Sequence, residues 1–237
     1  MLSARPATLF VFSPSLDGDF IRERPVEALK SGNFAHVPVL YGFNSNEGSG
    51  WSASLTDPSA NTSMPNATEE TVLNFLQGQY PRLTHASFDD AVKLYPLKDY
   101  ANSFSLQGQQ MYGECRYICT ALMIAGAAIT KSNKVFSISV RFILHKQDAR
   151  LLMRLSSYDN PHLGSFHSSE LEAFFGSPTS ANANDSALFE AMREYWTSFV
   201  TTGQPSAENG IAWKVHTLTF LLPPNYLLTE PLLLACT

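Results

Sequence analysis

Apolar residues in this chain follow two patterns. The first is the short unbroken run. Residues 37–42, Val-Pro-Val-Leu-Tyr-Gly, predict a buried strand. Residues 9–12 and 134–137 are shorter runs that predict two more strands. The second is helical spacing. Residues 69–79 put Leu73, Phe75 and Leu76 among the buried positions of a helix, and residues 88–95 do the same with Val92 and Leu94. Residues 105–129 predict a long helix or a broken pair. The small side chains Ala125, Gly126, Ala127 and Ala128 suit it to close packing on a sheet. Leu188, Met192, Trp196 and Phe199 mark an amphipathic helix over 185–201, closed by Gly203 and Pro205. A shorter helix over 25–30 stops at Ser31-Gly32-Asn33.

Polar and mixed stretches separate these elements. Asp17-Gly18 reads as a turn, and residues 53–68, rich in Ser, Thr, Asn and Pro, as a surface loop. Residues 138–157 carry Arg141, His145, Lys146, Arg150 and Arg154 among apolar positions, which reads as a basic amphipathic helix. Residues 215–237 are apolar but broken by Pro223, Pro224, Asn225 and Pro231, and fit no element. There are no internal repeats. Strands separated by helices predict an α/β class with a largely parallel sheet. In such sheets the functional loops lie beyond the carboxyl ends of the strands.

Two loops carry candidate chemistry. Residues 42–51, Gly-Phe-Asn-Ser-Asn-Glu-Gly-Ser-Gly-Trp, leave the predicted strand and present Glu47; Gly48 and Gly50 let the backbone turn sharply there. Residues 160–176 present His167 after Gly164 and run into a short helix. Ser168 is placed to cap that helix, with Leu171, Phe174 and Phe175 as its buried face. An imidazole takes a proton from a hydroxyl only when its tautomer and orientation are fixed. A carboxylate on the far ring nitrogen does this and stabilises the imidazolium that forms. Glu47 and His167 are candidates for those two roles. Each also has a plainer reading, Glu47 as a solvated turn residue and His167 as a structural histidine. A metal site built from His162, His167 and Glu170 fits no common ligand spacing.

Composition narrows the classes. With 44% apolar and 16% charged residues the chain reads as an ordinary soluble protein. The net charge of -5, without a basic stripe, gives nucleic-acid binding no support. No apolar run approaches the length of about 18 residues that a membrane span needs. Cys115, Cys119 and Cys236 are read as unpaired or buried. Asn61, Asn66 and Asn184 each open a glycosylation sequon, a pattern that leans toward export, whereas residues 1–8 do not have the form of a signal peptide.

The wording around the two loops goes further. Residues 16–20 (Leu-Asp-Gly-Asp-Phe), 37–42, 44–48, 166–171 (Phe-His-Ser-Ser-Glu-Leu) and 199–205 resemble, in order, the motifs of the carboxylesterase/lipase type B family, the cholinesterase-like α/β-hydrolases. The resemblance implies the C-terminal portion of an α/β-hydrolase fold, an incomplete central sheet with flanking helices. It implies that Glu47 is the triad acid and His167 the base, with Glu170 as supporting structure. It also implies an ester or lipid substrate in the complete enzyme, a secreted ancestry, and no metal or organic cofactor.

Two departures qualify it. The family's nucleophile lies in a Gly-x-Ser-x-Gly elbow upstream of the acid. No such pattern occurs here, and the glycine-rich oxyanion loop is absent too. The expectation is a chain with acid and base but no nucleophile, inactive alone and complemented by a missing N-terminal half. Residues 138–157 also interrupt the family wording, which resumes at Tyr158-Asp159-Asn160-Pro161. The organisation expected is one partial domain over 1–237, family-like over 11–137 and 158–214. The insert at 138–157 and the tail at 215–237 are atypical, and the insert reads as a retained intron or another gene-model artefact. The competing reading is a non-catalytic binding or adhesion fragment of the same fold.

Overall fold

The computed structural model describes residues 7–10, 12–131, 133–140, 152–153, 165–176, 183–208, 210–213 and 215. The chain divides into two compact units, one of residues 1–31, 48–119 and 226–237, the other of residues 32–47 and 120–225.

The first unit is helical. Its elements are α1 (Pro25–Ser31), α2 (Glu69–Gln79), α3 (His85–Val92) and α4 (Phe104–Gly113), with short 3-10 turns at Ser52–Ser54 and Leu97–Tyr100. A capping box starts α2. The Thr68 hydroxyl accepts from the Thr71 N–H, and the Thr71 hydroxyl accepts from the Thr68 N–H. The buried face of α2, Val72, Leu73, Phe75 and Leu76, packs with Met111 and Tyr112 of α4. The Phe75 and Tyr112 ring centroids lie 5.1 Å apart. After α4 the helical path passes through a π-helical turn (Glu114–Ile118) and continues as α5 (Cys119–Thr130), so the long helix is interrupted without being broken. Cys119 is buried and Cys115 half-buried.

Three expectations for this unit change. Residues 9, 10 and 12 form no strand; the Leu9 N–H instead donates to the Gln79 side chain at the end of α2. Leu94 falls after α3 and is exposed. The polar stretch 53–68 is packed as well as solvated. Leu55, Ala60, Asn61 and Thr62 are buried, and the Ser52 and Thr62 hydroxyls are 2.6 Å apart. Asn61 donates its amide to the Leu55 carbonyl and accepts from Ser63. The Asn61 side chain is buried, whereas Asn66 is exposed.

The second unit holds the sheet. Strands β1 (Val39–Asn44), β2 (Val135–Val140) and β3 (Leu152–Met153) are all parallel, in the order β1-β2-β3. The Val39 N–H donates to the Lys134 carbonyl. Alternation along β1 therefore turns Val39, Tyr41 and Phe43 toward β2, and turns the backbone groups of Leu40 and Gly42 to the other side. Helix α7 (Ala183–Thr202) carries Phe189, Met192 and Tyr195 into a core with Ala173, joined by Phe174, Trp196 and Trp213. The Phe136 ring of β2 meets Phe199 of α7 at 6.1 Å. Gly203, at φ 71°, donates its N–H to the Phe199 carbonyl and ends α7.

Residues 138–140 and 152–153 are strand, not basic helix. The ladder with β1 extends β2 through Val140, three residues past its expected end, opposite Asn44. Arg141, His145, Lys146, Arg150 and Arg154 lie outside the described residues, as do the tail beyond Val215 and Cys236. Among the described residues no helix is long and apolar enough to cross a membrane.

Candidate active site

β1 ends at Asn44, and the chain turns at once. The carboxylate of Glu47 folds back on that turn, so that the Asn44 backbone N–H donates to Glu47 Oε1 at 2.6 Å. This bond fixes the carboxyl plane and aims Oε2 away from the strand. Glu47 is nearly inaccessible to solvent. Beyond it, a side chain at Gly48 would place its Cβ 1.8 Å from the Gln109 carbonyl oxygen, and Gly50 sits at φ 79°. Both glycines are required, one for close approach and one for its left-handed backbone.

His167 lies on the loop that precedes α6 (Leu171–Phe175). The backbone of that loop docks on the loop that carries Glu47. The Asn46 N–H donates to the Ser165 carbonyl at 3.0 Å, and Asn46 and Phe166 form a parallel bridge. Ser168 then adopts φ 68°, a left-handed conformation that reverses the chain immediately after His167. The result is a 2.7 Å bond between His167 Nδ1 and Glu47 Oε2. The carboxylate accepts, so Nδ1 carries the proton and the Nε2 lone pair is left to accept one. The His167 side chain is 37% exposed. Burial raises the Glu47 carboxyl above its ordinary range, against the downward pull of the Asn44 N–H and of His167.

Asn44 links the two loops a second time. It is fully buried, and its side-chain amide donates to the Phe166 carbonyl at 2.9 Å and to Glu170 Oε2 at 2.5 Å. Sequence reasoning named Glu170 as support but gave Asn44 no role. The available signal was an asparagine at a strand end, three residues before the acid.

Two expectations around the base do not hold. Ser168 does not cap α6, because the helix starts at Leu171; the Ser168 carbonyl accepts the Leu171 N–H within the turn. Leu171 and Phe175 are 45% and 88% exposed; Ala173 is buried, and Phe174 is partly buried against the α7 core. A five-residue helix presents too little surface to bury three large side chains; it docks on α7 through Ala173, whose carbonyl accepts from Arg193. The apolar side chains of α6 instead help line a cleft of about 640 Å³ with Phe43 and Trp196, ending on Asn44, Glu47 and Glu170. His162 and Gly164 lie outside the described residues, and among the described residues no group of three metal-ligating side chains converges.

A sequence model of the carboxylesterase family matches residues 1–221. This chain belongs to the carboxylesterase family. Among its relatives is an acetylcholinesterase of Bungarus fasciatus, 28% identical over 238 residues, covering 94% of this chain and 36% of that protein. The acetylcholinesterase of Electrophorus electricus is 27% identical over 255 residues, covering 89% of this chain and 38% of that one. Among solved structures, the crystal structure of Aspergillus niger EstA superposes with a TM-score of 0.67 at 23% identity, over 88% of this chain and 39% of that chain. The carboxylesterase fold is therefore present in part: a helix-rich α/β portion of an α/β-hydrolase. The chain spans well under half the length of the relatives it matches.

Proposed function

We propose that this chain supplies the general base and the orienting acid of a serine carboxylic ester hydrolase, with His167 the base and Glu47 the acid. The observation that carries this reading is the 2.7 Å bond between His167 Nδ1 and the buried carboxylate of Glu47. With Nδ1 bonded to the carboxylate, Nε2 is the ring nitrogen whose lone pair can take a proton. A serine hydroxyl beside Nε2 would lose its proton to it while attacking the ester carbonyl. Glu47 would stabilise the imidazolium, which then returns the proton to the departing alcohol. Water would release the acid from the acyl-enzyme through the same base.

The sequence holds no Gly-x-Ser-x-Gly elbow. In this reading the nucleophile and the oxyanion donors come from outside these 237 residues. The substrate class is esters or lipids, and the setting is extracellular, as the resemblance to secreted esterases implies. The formed acid–base pair favours this reading over a binding or adhesion fragment, which has no need to orient an imidazole. We further read the chain as one partial domain whose residues 138–157 interrupt the family wording. Peptides that join Ser137 directly to Tyr158 would support an artefact there, and abundant peptides from within the segment would exclude it.

The test is hydrolysis of a short-chain nitrophenyl ester by the chain alone, beside His167→Ala. Neither protein is expected to turn over substrate. Fused behind the N-terminal segment of a carboxylesterase relative that carries a Gly-x-Ser-x-Gly elbow, the chain should turn over, and His167→Ala should then cost on the order of 10⁶-fold. Turnover by the chain alone that vanishes in His167→Ala would place the nucleophile within it. A fused enzyme indifferent to His167 would overturn the assignment of the base.

A further inference from the structure

We infer that Asn44 is a positioning residue, whose carboxamide locks the base loop to the acid loop so that His167 Nδ1 falls on Glu47. The inference rests on reading Glu47 and His167 as acid and base, and goes on to name the group that aligns them.

Asn44 spends three donors on the site. Its backbone N–H holds Glu47 Oε1, one amide N–H goes to the Phe166 carbonyl, and the other goes to Glu170 Oε2. Phe166 and Glu170 stand immediately before His167 and three residues after it. One buried side chain therefore grips the turn on both sides of the imidazole. The backbone bridge between Asn46 and Phe166 ties only the entry side. The turn between Phe166 and Glu170 passes through Ser168 at φ 68°, and Asn44 anchors its exit through Glu170. The Phe166 carbonyl also accepts from the Ser169 N–H, so Asn44 reinforces a turn that is already closed.

The residue type follows from the partners. All three are acceptors, two of them carboxylates, so the position needs donors and no negative charge. Aspartate would face Glu170 and the Phe166 carbonyl with oxygen against oxygen. Glutamine is one methylene too long for a site that is 1% exposed. A buried amide is tolerated because it is paired, and each such bond to a charged acceptor is strong enough to set loop register.

The test reads the dyad by NMR on the full chain, without any ester. In the wild type, His167 should give an exchange-protected, downfield Nδ1–H resonance, assigned by its loss in His167→Ala. Asn44→Asp should lose that resonance. Glu170→Gln should keep it, because a glutamine carbonyl still accepts from Asn44. A role confined to stability would lower Tm and leave the resonance in place. If the buried Asn44→Asp fails to fold, Glu170→Ala on the half-exposed loop gives a second reading. The Asn44 side-chain amide protons should exchange slowly in the wild type and about tenfold faster in that variant. A resonance unchanged in folded Asn44→Asp would overturn the inference. So would wild-type Asn44 protons that exchange like those of a solvated amide, or a wild type with no His167 resonance. A dyad that forms without Asn44 sinks this inference alone; a fused enzyme that fails to hydrolyse esters sinks the functional reading alone.

Discussion

His167 Nδ1 and Glu47 Oε2 lie 2.7 Å apart although 120 positions separate the two residues in sequence. The contact is made by a parallel bridge between loops and by one asparagine, all within the unit that contains the sheet. It needs no nucleophile to form. The pair can therefore be studied in the chain as it stands.

The buried carboxyl gives a pH dependence. Glu47 in the folded chain is raised above its ordinary value, chiefly by burial. Between the ordinary and the raised value, the folded state keeps a proton that the unfolded state has released. This contribution to stability is full below the ordinary carboxylate range and is lost as pH rises through the raised value. Glu47→Gln cannot ionise. The Tm of Glu47→Gln minus that of wild type should grow more positive, by calorimetry, as pH rises from the ordinary carboxylate range through the raised value. A difference that shrinks across that window would contradict the assigned direction.

Gly48→Ala should be costly. Its Cβ would stand 1.8 Å from the Gln109 carbonyl oxygen and 2.8 Å from the Gly113 nitrogen, both backbone atoms of α4 that cannot swing aside. Overpacking of this kind costs about 2 kcal/mol or more. Chemical denaturation should show a lower midpoint with an unchanged slope.

Ser168→Gly should act in the opposite direction. At φ 68° a serine pays for a left-handed backbone that glycine adopts freely. The expected gain is about 1 kcal/mol. The His167 Nδ1–H resonance should survive, because the turn keeps its shape. A loss of stability would mean that the serine side chain contributes more than its backbone costs.

The sequons separate by geometry. In material secreted from a glycosylating host, mass spectrometry should find a glycan on Asn66, which is exposed, and none on Asn61, whose amide is buried against the Leu55 carbonyl. A folded, glycosylated Asn61 would require the loop at 53–68 to pack differently.

Much of this was legible in the sequence, for identifiable reasons. Helix α2 falls where its spacing predicts because Thr68 and Thr71 set its start locally. Helix α7 ends where Gly203 supplies the left-handed residue. The parallel sheet followed from the apolar run before Asn44 and the helices that separate the strands. The two loops whose Glu47 and His167 side chains meet were legible because each has a recognisable form. The details of α6 were not. Its burial depends on α7, a distant partner that local periodicity does not encode, and so Leu171 and Phe175 were placed inside. Asn44 was missed for the same reason. An asparagine at a strand end looks like an ordinary stop until the loop 122 residues away is seen beneath its amide.

The outward side of β1 has a consequence for the fate of the molecule in solution. Among the described residues β1 is an edge of the three-stranded sheet, Gly42 is exposed, and the backbone groups of Leu40 and Gly42 point away from β2. Such an edge is a template for any extended chain that meets it, including another copy. Meeting is a second-order event, whereas unfolding is first-order. The working lifetime of a preparation is therefore governed by how often two molecules collide as well as by how firmly each is folded. Dilution should extend that lifetime in a way that no stabilising mutation in the helical unit can match.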